Sequence, residues 1–164
     1  MDRLFGKSLN SKYDFFTILL LYFKNKDSRA RVDVHKRDGH GTDKVATIYG
    51  APEACGVAAN RILDIIRKEE RDDDLPLKLL AHNALIGRLI GRDGRNLKQI
   101  QVQAFELVDP KRSFQEKTGA KIAISSMHDV SPYNLDRTIS ISGSLKEIAD
   151  AEQLITEKLR QFEV

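Results

Sequence analysis

The sequence predicts an α+β fold with elements in the order β-α-α-β-β-α over residues 77–162, preceded by part of a second such unit. Three observations carry this. Lys121-Ile122-Ala123-Ile124-Ser125 and Thr138-Ile139-Ser140-Ile141-Ser142 alternate apolar and polar residues with the period of half-buried strands. From Ser144 to about Phe162, Ile148, Ala151, Leu154, Ile155 and Leu159 recur at helical spacing. Between the expected first strand and these elements, Gly91 and Gly94 bracket Arg92-Asp93 at the junction of two short apolar helical segments.

Taken in order, Leu77 to His82 reads as a strand, Leu85 to Ile90 as a short helix, and Gly91 to Gly94 as a loop. A second helix begins at Arg95, with Leu97 and Ile100 on its apolar side. The polar stretch Ser126 to Arg137, with Pro132 and Asn134, reads as a long turn between the last two strands. Upstream, Thr47-Ile48-Tyr49-Gly50 aligns with Ser140-Ile141-Ser142-Gly143, and Ala58, Ile62 and Ile66 align with Ala151, Ile155 and Leu159. The segment Ala30 to His35 matches the one around Ala120 to Ser125. Residues 29–70 are therefore expected to repeat only the strand-strand-helix half, without a Gly-x-x-Gly loop. Residues 1–28 are a divergent segment, and 71–76 a linker. The charge run Arg67 to Asp74 reads as a solvated, frayed helix end.

Composition narrows the function classes. The 164 residues carry 41% hydrophobic and 31% charged residues, as a globular chain does, and a net charge of only +3. From Leu75 to Gln101 the cations are Lys78, Arg88, Arg92, Arg95 and Lys98, against the single anion Asp93. Positive charge thus collects around the glycine loop, as a phosphate-binding face requires. Cys55, the only cysteine, sits among small apolar residues and reads as a buried helix position. The four histidines lack metal-ligand spacing, and no Ser/His/Asp set is present. These features predict a non-enzymatic chain with no metal, cofactor or small-molecule substrate. The apolar run Phe15 to Phe23 is too short to span a bilayer, which takes about 20 residues, so no membrane role is expected. It reads as a strand or helix covering the apolar face that the missing half-unit would have covered.

The loop carries the chemistry. Glycines at 91 and 94 let the backbone approach a phosphate without a Cβ in the way. The first amides of the following helix, which lack intrahelical acceptors, then face the anion. A Walker A loop would need Gly-Lys-Ser/Thr where Gly94-Arg95-Asn96 stands, and the spacing of Gly87, Gly91 and Gly94 is not that of a dinucleotide fingerprint. The run Leu85 to Asn96 closely resembles the recognition loop of KH domains, which clamp about four nucleotides of single-stranded RNA or DNA.

That resemblance implies a type I KH domain at 77–162: a three-stranded antiparallel sheet packed on three helices, preceded by a partial KH unit. It assigns close backbone approach to Gly91 and Gly94, with Arg92 and Asp93 exposed between them. Arg92, Arg95 and Lys98 are the expected phosphate contacts, with Arg137 as a further one. Ile86, Leu89, Ile90, Leu97, Ile122 and Ile124 are expected to form the apolar groove and the core beneath it. Backbone groups near Ile122 to Ile124 would read base edges, and the loop 126–137 would close one side.

Ser28 to His35, Ile48-Tyr49-Gly50, Leu77 to Asn83 and Gly94 to Lys98 further resemble the insulin-like growth factor 2 mRNA-binding (zipcode-binding) proteins, at their first two KH domains. This implies a truncated form, without the family's two RNA-recognition domains and last KH pair. The implied partner is single-stranded mRNA, chiefly its 3′ untranslated regions, together with other ribonucleoprotein components. The implied roles are mRNA localisation, stability and translation, in cytoplasmic ribonucleoprotein granules and also the nucleus. The alternative is a KH-like structural module that mainly docks proteins.

One interruption stands out. Removing residues 102–115 would restore a helix end followed directly by Glu116-Lys117-Thr118-Gly119. Pro110 bars an uninterrupted helix through this insert. Either it bulges out after Gln101 or it extends the helix to about Val108. It is expected to loosen the helix that holds the loop.

Overall fold

The computed structural model describes residues 2–5, 29–34, 44–108, 119–126 and 136–161. The elements are β1 (Asp2–Phe5), β2 (Arg31–Val34), β3 (Lys44–Tyr49), α1 (Pro52–Glu70), β4 (Leu77–His82), α2 (Asn83–Ile90), a 3-10 turn at Arg92–Gly94, α3 (Arg95–Val108), β5 (Lys121–Ile124), β6 (Asp136–Ser142) and α4 (Leu145–Arg160). From β4 onward the order is β-α-α-β-β-α, and these three strands pair antiparallel in the order β4-β6-β5. Residues 77–160 therefore form the expected three-stranded sheet with three helices.

The alternation foreseen in the strands sets which side faces the helices. On β4, Leu77, Leu79 and Ala81 are buried, and on β6 Ile139 and Ile141 are fully so. Their cross-strand partners include Leu77 with Ile141 and Leu79 with Ile139, so one apolar face is continuous across the pair. Ile148, Ala151 and Ile155 of α4 close this core from above. α4 begins in a capping box: the Ser144 side chain accepts from the Glu147 amide, while a Glu147 carboxylate oxygen accepts from the Ser144 amide at 2.8 Å. In the first unit, α1 starts with Pro52 in its first turn and ends where Arg71 takes a left-handed conformation.

The sheet is larger than the sequence indicates. It has six strands in the order β2-β3-β1-β4-β6-β5, with neighbouring strands antiparallel. β1 joins the two halves: Asp2, Arg3 and Leu4 pair with Thr47, Ala46 and Val45 on one side and with Leu80, Leu79 and Lys78 on the other. The expected coverage by residues 15–23 lies outside the described residues.

One expectation is corrected. Arg67 is not part of a solvated helix end. It is 5% exposed, and its guanidinium donates to the Leu75 carbonyl (2.7 and 3.0 Å) and to the Gly143 carbonyl (3.1 Å). Charge did not decide its position; two carbonyls at the ends of the linker and of β6 did. Of the two courses open to the insert, the chain takes the second, extension of the helix to Val108. α3 continues from Arg95 to Val108 without a break at Gln101, whose side-chain amide donates to the Ile122 carbonyl at 3.4 Å, and Ile100 is buried. Residues 109–115 of the insert lie outside the described residues.

Candidate nucleic-acid interface

The loop arises from a helix that cannot continue. α2 is capped at its start by His82, whose Nδ1 accepts from the Ala84 amide at 3.2 Å. It ends at Gly91, with φ +70° and ψ −179°, where the Gly91 amide still reaches the Gly87 carbonyl at 3.1 Å. A side chain is strained at that φ, so glycine is the residue that lets the chain leave here. Arg92 to Gly94 form one tight turn, with the Gly94 amide donating to the Gly91 carbonyl at 3.3 Å. Asp93 (φ +56°) and Gly94 (φ +72°) are also left-handed, so three of these four residues have positive φ. α3 then starts at Arg95, and its first-turn amides are where an anion finds donors.

The two glycines have different surroundings. A Cβ on Gly94 would meet nothing within 4 Å, so the backbone faces open space there. A Cβ on Gly91 would lie 2.7 Å from Cγ and Nδ2 of Asn96, so that glycine is packed from behind. Arg92, Asp93, Arg95 and Lys98 are all exposed beside this opening. The cations foreseen in the sequence are thus brought together on one turn and the start of one helix.

The six apolar candidates separate into two layers. Ile86 and Leu89 are fully buried and Ile122 is 8% exposed, so these belong to the core and do not line a groove. Ile90, Leu97 and Ile124 are partly exposed and packed on that core, which makes them the apolar candidates a base can reach. Arg137, expected as a further phosphate contact, is engaged within the fold. Its Nε donates to the Ser125 carbonyl at 2.9 Å, its Nη2 donates to the same oxygen, and Nη1 lies 3.5 Å from Oδ1 of Asn83. Ser125 in turn accepts on its hydroxyl from the Thr138 amide at 3.0 Å. Arg137 therefore ties the end of β5 to the start of α2. Of the loop 126–137, residues 127–135 lie outside the described residues.

Asn96 and Gln101 were missed as site residues. Each holds a neighbouring backbone through a side-chain amide, which no periodicity reveals. The signal available was Asn96 itself, a short amide in the first turn of a helix, where local backbone bonding is its usual use.

A cavity of about 560 Å³ lies elsewhere, lined among others by Arg67, Lys68 and Lys121 and by Asp64, Asp73, Asp74 and Glu147. It shares no residue with the loop, and its mixed charge does not favour a polyanion. Among the described residues no group of three or more His, Cys, Asp or Glu could hold a metal ion, and no helix is long and apolar enough to cross a membrane.

Residues 111–157 match the family model of the KH domain. A KH domain is present here. The match takes in β5, β6 and most of α4, the strand-strand-helix half of the unit, and ends short of Gly91–Gly94. The loop itself lies outside the match, between α2 and α3. KH domains are modules that bind single-stranded nucleic acid.

Proposed function

We propose that this chain binds single-stranded RNA without catalysis, through the turn Gly91–Gly94 and the start of α3. The observation that supports it most is the open space at Gly94, ringed by the exposed side chains of Arg92, Arg95 and Lys98. A phosphate seated there meets backbone amides with no Cβ intervening, and three cations on the turn and the start of α3. The bases then lie over Ile90, Leu97 and Ile124 and along the outer edge of β5, which no further strand covers in the sheet order. The resemblance to the insulin-like growth factor 2 mRNA-binding proteins narrows the ligand to mRNA, with 3′ untranslated regions as the targets. The role is then control of mRNA localisation, stability and translation in cytoplasmic ribonucleoprotein particles.

The test is Arg92→Asp, which places two adjacent acids in the turn. Single-stranded RNA binding should disappear while the melting temperature stays at the wild-type value, because the Arg92 side chain is exposed on the turn. RNA affinity unchanged in that folded variant removes the clamp from the reading. Protein partners retained by both chains, with no RNA bound by either, would establish the docking module instead.

A further inference from the structure

We propose that Asn96 is the positioning residue of this turn: its side chain holds the turn in the one shape that leaves Gly94 open. The inference rests on the clamp reading above and adds the device that keeps the clamp formed.

The turn needs such a device. Gly91, Asp93 and Gly94 all hold positive φ, and the Asp93 conformation is unfavourable for a residue with a Cβ. The backbone bond from the Gly94 amide to the Gly91 carbonyl is long, at 3.3 Å. α2 is only eight residues long, too short to hold the turn by its own backbone bonds. Across this weak junction, Nδ2 of Asn96 donates to the Arg88 carbonyl at 3.0 Å. That carbonyl belongs to the last turn of α2, and Asn96 to the first turn of α3. The bond therefore closes over the turn and joins the two helices it separates.

Packing points the same way. The Cβ, Cγ and Nδ2 of Asn96 lie 2.7–3.1 Å from where a Gly91 Cβ would stand, so the amide fills the space that glycine vacates. Arg95 and Lys98 are exposed on either side, while Asn96 is less so. Asn96 thus packs on the Gly91 side of the turn, engaged with the Arg88 carbonyl. It acts by raising the fraction of chains whose turn is competent to bind.

The experiment compares Asn96→Ala and Asn96→Leu, the second keeping the side-chain shape without the donor. Hydrogen exchange of the free protein is read at the amides of residues 91–95. Binding of a short single-stranded RNA of random sequence is read over a salt series. Both variants should speed exchange at the turn about fivefold, the worth of one net hydrogen bond, and weaken RNA binding to the extent that the competent fraction falls. The melting temperature should fall by no more than about 8 °C, and the slope of log affinity against log salt should match the wild type. Wild-type exchange and affinity in both variants overturn the proposal. So does a shallower salt slope, which would make Asn96 a phosphate contact, or exchange accelerated evenly across 77–160, which would make it a general stabiliser. If the wild-type chain binds no RNA, the clamp reading fails alone, and exchange at the turn still decides the role of Asn96.

Discussion

At the scale of single residues, the two loop glycines separate folding from binding. Gly94 has open space around its missing Cβ, so Gly94→Ala adds only backbone strain, about 1 kcal/mol. The added methyl stands where the phosphate would approach, so RNA affinity should drop at least tenfold, on the order of a lost charge-assisted contact. A calorimetric melt and a binding titration of that variant check both halves. Arg67 gives the opposite case. It is buried, far from the loop in the chain, and donates to two backbone carbonyls. Arg67→Met should cost about 2–3 kcal/mol in denaturant unfolding through the orphaned Leu75 and Gly143 carbonyls. RNA affinity under folding conditions should remain at the wild-type value. The sequence around Arg67 offered only a block of mixed charge, and such blocks are solvated unless a partner is fixed nearby. Both partners here are backbone atoms, which leave no trace in residue types. For the same reason Arg137 was read as a phosphate contact when its donors are directed at Ser125.

At the scale of elements, α3 decides what the insert does. The anchor of this helix, Ile100 in the core and Gln101 on the Ile122 carbonyl, precedes the insert. Deleting residues 102–115 should therefore leave RNA affinity within about twofold of the full chain. A large gain on deletion would mean that the extended helix disturbs the turn after all. The salt response belongs to the same element. Arg92, Arg95 and Lys98 on three phosphates give a slope of log affinity against log salt of about −2, at about −0.7 per contact. Binding that ignores salt would leave these cations without a role. Most elements of this unit were legible because they obey one period each: two for Lys121–Ile124 and Asp136–Ser142, near 3.6 for Leu145–Arg160. The turn was legible because only glycine accepts its geometry. Its support was not, since the bond from Asn96 to Arg88 runs between a side chain and a carbonyl eight positions away.

At the scale of the whole molecule, the two units are one sheet, and β1 is the strip that joins them. Four polar and apolar residues of mixed character, Asp2 to Phe5, gave no alternation from which to foresee a central strand. Its place follows from pairing on both sides, a property of the neighbours and not of the strand. Arg3 sits opposite Ala46 and Leu79, so Arg3→Pro removes a ladder donor from the middle of the sheet. That variant should lose the single calorimetric transition expected of a shared sheet and melt in two steps. One undiminished transition would show that the helices, through α1 and α4, couple the units by themselves. The helices do meet: the Asn60 side chain on α1 donates to the Leu145 carbonyl at the start of α4 at 2.9 Å.

The position of β1 also bears on how the chain reaches this structure. Asp2 pairs with both Thr47 and Leu80, so the middle of the sheet is built from partners far apart in sequence. Closing such loops precedes any reward from the contacts they bring, which slows the search. Until β1 arrives, β3 and β4 each present a bare edge toward the other, and bare edges recruit strands from neighbouring molecules. Assembly of this protein is thus a race between its own amino-terminal strand and strangers, decided by concentration: refolding yield should fall as the chain is made more concentrated.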